Sequence, residues 1–215
     1  MNKDPSQPED KMELVQNICT IINQARSQVR QTVNAAMVLA YWQIGRLIIE
    51  DEQVKQERAG YGQQLLKRIS EQLTQEYGKG FDVTNLRNMR RFYLVFQKRE
   101  TLSLELSWSH YNRLARIENR NAREWYMQES CAHGWSVRAL DRQVSKLYYE
   151  RLLASKDKAP VETEAVEKTS SLQETAKDYL RDPYILDFLN LQDKTYQETE
   201  LEQSIISNGC SRAFF

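Results

Sequence analysis

Residues 62–98 read GQQLLKRISEQLTQEYGKGFDVTNLRNMRRFYLVFQK, and this stretch decides the fold. Leu65, Leu66, Ile69 and Leu73 recur at helical spacing on one side of a helix over 62–77. Gly78-Lys79-Gly80 ends that helix, because glycine takes the left-handed cap conformation without strain. Asp82 can then cap a following helix over 83–98. Val83, Leu86, Met89, Tyr93 and Phe96 share one side of it, and Thr84, Arg87, Asn88, Arg91 and Lys98 share the other. Helix, short glycine turn, helix is the layout of a helix-turn-helix unit. Basic and amide side chains on its exposed face suit phosphates and base edges. The plain alternative is the solvated face of an ordinary bundle helix.

Upstream, Ile18, Ile22, Ala25, Val29, Val33, Ala36, Ala40, Ile44 and Leu47 are spaced by threes and fours, which predicts one long helix over 12–50. Such a helix needs a long partner surface, from this chain or from a second copy. The stretch Val29, Val33, Ala36, Ala40 is the candidate oligomerisation seam. Gly45 lies inside the helix at a cost of about 1 kcal/mol against Ala. Close approach of another helix would compensate.

Downstream, Leu102–Ser107 reads as a connector, and Ser107 or Ser109 can open a short helix through Ile117. Further helices are predicted over 120–132, ended near Gly134, and over 137–153, capped by Ser136 with Val137, Leu140, Val144, Leu147 and Tyr148 inward. From Ala154 to Ser171 the apolar pattern stops, and Lys, Glu, Ser, Thr and Pro160 read as a solvated linker. The domains expected are a disordered tail 1–11, a helical domain 12–153, a linker 154–171 and a short C-terminal segment 172–215. Within the last, Glu198–Ile206 reads as a helix. The fold class is therefore mainly α, a multi-helix bundle with a helix-turn-helix-like unit.

Lys plus Arg and Asp plus Glu each number 30, so the 215-residue chain is neutral overall. The distribution is uneven. Residues 82–151 carry 13 basic and 8 acidic side chains, whereas 152–215 carry 7 and 12. A polyanion should therefore dock on the middle. The polar start with Pro5 and Pro8 has no apolar signal-peptide core, and no apolar run of about 20 residues is seen. Cys19, Cys131 and Cys210 are odd in number and far apart, which predicts reduced thiols and a cytoplasmic chain without a membrane partner.

No complete catalytic centre is legible. Ser107, Ser109 and His110 lack the orienting group and glycine elbow of a hydrolase, and read as a capped helix start with Trp108 and Tyr111 inward. Cys131-Ala132-His133 supplies two soft ligands where zinc needs three or four. Glu198, Glu200 and Glu202 read as a solvated helix face. No phosphate-cradling glycine loop or tandem repeat is present, and no small-molecule substrate is implied. The expected catalytic, metal and cofactor residues are therefore none.

Tyr41-Trp42-Gln43-Ile44-Gly45-Arg46, Tyr61-Gly62, Gly78-Lys79-Gly80-Phe81 and Asn85-Leu86-Arg87-Asn88-Met89-Arg90-Arg91-Phe92-Tyr93 resemble the YhcG family. So do Leu106-Ser107-Trp108-Ser109-His110-Tyr111, Arg123-Glu124-Trp125-Tyr126 and Gly134-Trp135-Ser136-Val137-Arg138. The resemblance covers about 15–153. It implies a bacterial protein acting on DNA, with a helical N-terminal domain ahead of a PD-(D/E)XK nuclease domain. Asp182–Leu189 resembles the start of that nuclease domain, and Glu200-Leu201-Glu202 its first helix. Such nucleases hold a divalent metal, usually Mg2+, with an Asp on one strand and (Asp/Glu)-x-Lys on the next, so that the metal activates water. Ser207–Phe215 departs from the family's continuation, so the expectation is a truncated chain that binds DNA without cutting it. A partner subunit or second copy is the alternative.

Overall fold

The computed structural model describes residues 8–54, 61–172 and 183–189, and they form a mainly helical bundle. Helix α1 (Pro8–Val54) begins inside the expected tail, since residues 8–11 are helical. Then come α2 (Tyr61–Tyr77), a 3-10 turn (Lys79–Phe81) and α3 (Val83–Val95). A 3-10 turn at Arg99–Thr101 leads to α4 (Trp108–Leu114), α5 (Arg120–Ala132), α6 (Val137–Ser145) and α7 (Tyr148–Ala154). α8 (Ala159–Thr169), a 3-10 turn (Ser170–Leu172) and α9 (Pro183–Phe188) complete the described chain. The expected helix at 198–206, its acidic run and Cys210 lie outside the described residues.

The core forms where α1 and α3 cross. Trp108 from α4 is fully buried there, edge-on to Tyr41 at 4.9 Å and to Phe92 at 5.4 Å. Edge-to-face ring pairs of this kind add about 0.5–1.5 kcal/mol beyond area burial. α1 contributes Asn34, Met37, Val38, Tyr41, Trp42, Ile48 and Ile49 as buried residues. That stripe lies one residue along from the predicted one. Ala36 and Leu47 face solvent, Val29 is 45% exposed, and Val33 packs on the domain's own core. The four residues expected to form one seam are thus divided between core and surface. The reason is that two adjacent apolar stripes run through 33–49, and only one includes Tyr41 and Met37.

By length and composition alone, α1 is long and apolar enough over Met12–Val54 to cross a membrane, which the sequence reading had not allowed for. The apolar residues of its second half are nonetheless the centre of this core.

The helix predicted over 137–153 is two helices. Ser136 caps the first as expected, its Oγ accepting from the Ala139 N–H at 3.0 Å. The chain then breaks at Leu147, whose φ of 53° and ψ of 46° are left-handed, and its side chain points out. A left-handed non-glycine residue costs about 1–2 kcal/mol, against about 0.5–1 kcal/mol for glycine's extra entropy loss. Leu147→Gly is therefore expected to raise stability by about 0.5–1 kcal/mol, read from the urea midpoint at constant slope.

The segment 154–171, expected to be a solvated linker, holds α8. Pro160 sits in its first turn, where a missing N–H costs nothing. Ala165 is buried, Val161 packs on the core, and Gln143 Nε2 donates to the Ala165 carbonyl at 3.3 Å. Arg151 on α7 pairs with Glu164. Two small apolar contacts were too weak a pattern to stand out among the charges.

Candidate nucleic-acid interface

The turn between α2 and α3 is fixed by local chemistry. Gly78 adopts φ 88°, and its N–H reaches the Thr74 carbonyl at 3.1 Å, closing α2. Asp82 accepts from the Asn85 N–H at 2.6 Å, opening α3. The Asn85 side chain then ties three elements. Its Nδ2 donates to the Gly80 carbonyl at 2.6 Å, and its Oδ1 accepts from Trp108 Nε1 at 3.2 Å. Asn85 is buried, so losing it would strand both partners. Nothing in the sequence pattern singles it out, because an Asn next to a helix cap is usually a solvated one.

α3 lies hard against α1. Arg90 Nε bonds Glu52 of α1 at 2.7 and 3.0 Å, and Trp42 Nε1 donates to the Phe96 carbonyl at 2.6 Å. Arg123 crosses the Phe96 ring at 5.8 Å and donates to the Ile117 carbonyl at 2.7 Å, with burial lowering its pKa. Leu86, Met89 and Phe92 are fully buried. Together these contacts orient α3 and leave one side open.

Of the residues expected on that side, Thr84, Arg87 and Arg91 are exposed. Asn88 is not: only 9% of it is accessible. It sits one turn before Phe92 and three residues after Asn85, so the helical period turns it inward with them. Lys98 is exposed but follows the end of α3 at Val95 and stands before the turn at Arg99. Leu94, 42% exposed, shares the open side.

The arginines are used unevenly. Arg113 pairs with Asp141 at 3.5 Å and Arg120 with Glu124 at 2.7 Å. No carboxylate among the described residues pairs with Arg87 or Arg91. They are four positions apart, about 6 Å along one face. Like charges so placed destabilise a helix by roughly 0.2–0.5 kcal/mol.

The residues at the start of α4 take the structural reading. His110 Nε2 lies 2.9 Å from the Trp135 carbonyl, which can only accept, so that nitrogen carries the proton. Nδ1 then accepts from Ser107 Oγ at 2.7 Å and from the Ser107 N–H at 3.3 Å, as a capping box. Trp108 and Tyr111 are fully buried. His133 faces Glu129 at 3.2 Å, and Cys131 Sγ contacts Ser103 Oγ at 3.3 Å. Among the described residues, no three metal-ligating side chains gather.

The family described as the DUF1016 N-terminal domain matches residues 17–151. This chain belongs to the YhcG family. The protein named "Putative nuclease YhcG" in Escherichia coli (strain K12) is 38% identical over 224 residues, an alignment covering 89% of this chain. The chain spans 59% of that relative's length. No solved structure matches the chain. The YhcG resemblance over about 15–153 thus holds, and its N-terminal domain is the helical bundle described above.

Proposed function

We propose that this chain is the DNA-binding module of a YhcG-type nuclease, and that the open side of α3 meets the phosphate backbone. The observation that carries the reading is the pair Arg87 and Arg91, exposed and without carboxylate partners among the described residues, on the helix that follows the glycine turn after α2. Thr84 extends the contact at the helix start, and Lys98 extends it past the end. Arg87 and Arg91 are guanidiniums that can grip a phosphate with two N–H groups. The net basic charge of residues 82–151 places α3 in the most basic segment of the chain. The relative's name refers to a nuclease, and an enzyme of that kind has to engage a nucleic acid before cutting it. Binding, and not cleavage, is the part proposed for this chain. Mg2+-dependent nicking by the purified chain, lost on Glu202→Gln, would overturn that division.

The test is binding of a labelled duplex across a salt series. Three phosphate contacts from Arg87, Arg91 and Lys98 would give a slope of about −3 in log affinity against log salt. Arg87→Glu with Arg91→Glu is expected to weaken binding at least about 100-fold and to flatten the slope by about two. Both side chains are exposed, so circular dichroism should be unchanged. A folded wild-type protein that ignores DNA at low salt would refute the reading.

A further inference from the structure

Most of the first half of α1 is exposed among the described residues. From Met12 to Thr32 every residue is exposed except Ser27 and Arg30, which are half-buried. A helix of that length is about 30 Å long. It carries Leu14, Val15, Ile18, Ile21, Ile22 and Val29, each between 44% and 64% exposed. Monomeric proteins rarely leave apolar patches above a few hundred Å2 uncovered.

The spacing says what kind of surface fits. Val15, Ile18, Ile22, Ala25 and Val29 step by three, four, three and four. That is the 3.5-residue period at which two helices stay in register along a seam, with β-branched residues at four of the five positions. No charged side chain occurs from Leu14 to Ala25, so the centre of the arm repels no copy of itself. The remaining faces carry Gln16, Asn17, Thr20, Asn23 and Gln24. A helix lying on an anionic membrane would show Lys and Arg there. The charges come at the two ends. Glu9, Asp10 and Glu13 stand against one Lys at the start, and Arg26 and Arg30 follow the apolar centre.

We infer that two copies of this chain pair through these arms, antiparallel. In that orientation the acidic end of each arm lies level with the basic end of the other, whereas a parallel pair would set like ends together. The register that aligns the ends places Ile18 opposite Ile22, and Val15 opposite Ala25. The surface lies N-terminal to the seam expected from sequence and shares only Val29 with it. It is independent of whether α3 touches DNA.

Sedimentation equilibrium of the full chain tests the pairing. The expected result is a mass twice the 25.4 kDa of one chain, falling to the monomer in Ile18→Glu/Ile22→Glu. Both positions are exposed, so helicity should persist in that variant. Monomeric wild-type protein at all concentrations would sink the inference, and so would a dimer indifferent to these two changes. Orientation is read by disulfide formation with Cys19→Ser in place and the linked peptides identified by mass. Mixed Val15→Cys and Ala25→Cys chains should cross-link to each other, and Val15→Cys alone should not. Efficient cross-linking of Val15→Cys to itself would mean a parallel pair and overturn the antiparallel assignment.

Discussion

Gly45→Ala is expected to destabilise the domain by about 3 kcal/mol or more, although alanine is the better helix former. On propensity alone the change should gain about 1 kcal/mol, because Gly45 lies deep inside α1. The structure reverses the sign. A Cβ at Gly45 would stand 2.1 Å from the Met89 carbonyl oxygen and 2.8 Å from its carbon, with Tyr93 Cβ at 3.1 Å. The obstructing atoms are backbone of α3, so no side-chain rotation can make room. The helices would have to separate along a contact that also holds Met37, Tyr41, Met89 and Phe92. Overpacking costs typically 1–3 kcal/mol, occasionally more, and here the strain is shared with the loss of dispersion across the whole crossing. A domain of ordinary stability has about 5–15 kcal/mol to lose. Gly45→Val, bulkier still, should leave little folded protein. Urea unfolding followed by tryptophan fluorescence reads the effect, and an alanine variant as stable as wild type would show that α1 and α3 do not cross so closely.

That close approach was legible in the sequence as an unexplained glycine in a long helix. So was the inner side of α3, where Leu86, Met89 and Phe96 mark a face that nothing competes with. The inner side of α1 was harder to phase. Residues 33–49 are apolar on more than half the circumference, so periodicity allows stripes through Ala36 and Ala40 or through Met37 and Tyr41. Volume decides between them, because the crossing needs large aromatics to fill it. The break at Leu147 has no sequence signature at all, since leucine is a poor choice for a left-handed residue. Arg87 and Arg91 were readable as exposed cations from their spacing. Asn88 was misplaced because an amide counts as polar in a pattern, and Asn85 was missed because its two bonds reach a turn and a tryptophan 23 positions away.

Ile185→Ala combined with Phe188→Ala should cost about 4–6 kcal/mol and should do so in the helical domain's own unfolding transition. The sequence places these residues in a separate segment beginning at 172. The structure instead packs α9 on α1 and on the turn ahead of α3. Ile185 is buried, Phe188 meets Tyr41 edge-on at 5.9 Å, and Tyr184 meets Trp108 at 6.4 Å. Asn112 Nδ2 donates to the Tyr184 hydroxyl at 3.3 Å, and Asp187 lies so near Gly80 that a Cβ there would approach its own to 2.6 Å. A helix of six residues has no stability of its own, so these contacts hold it in place. Removing a buried Ile side chain to Ala costs about 2–5 kcal/mol, and a half-buried Phe about half the 3–5 kcal/mol of a fully buried one. If α9 is part of the helical domain, one cooperative transition shifts by the sum. If it belongs to a downstream domain, the fluorescence transition of Trp42 and Trp108 stays where it was, and the domain ends before Pro183. The first outcome also has a consequence for the proposed interface. α9 contacts the very turn that leads into α3, so it helps to hold the helix proposed to meet DNA.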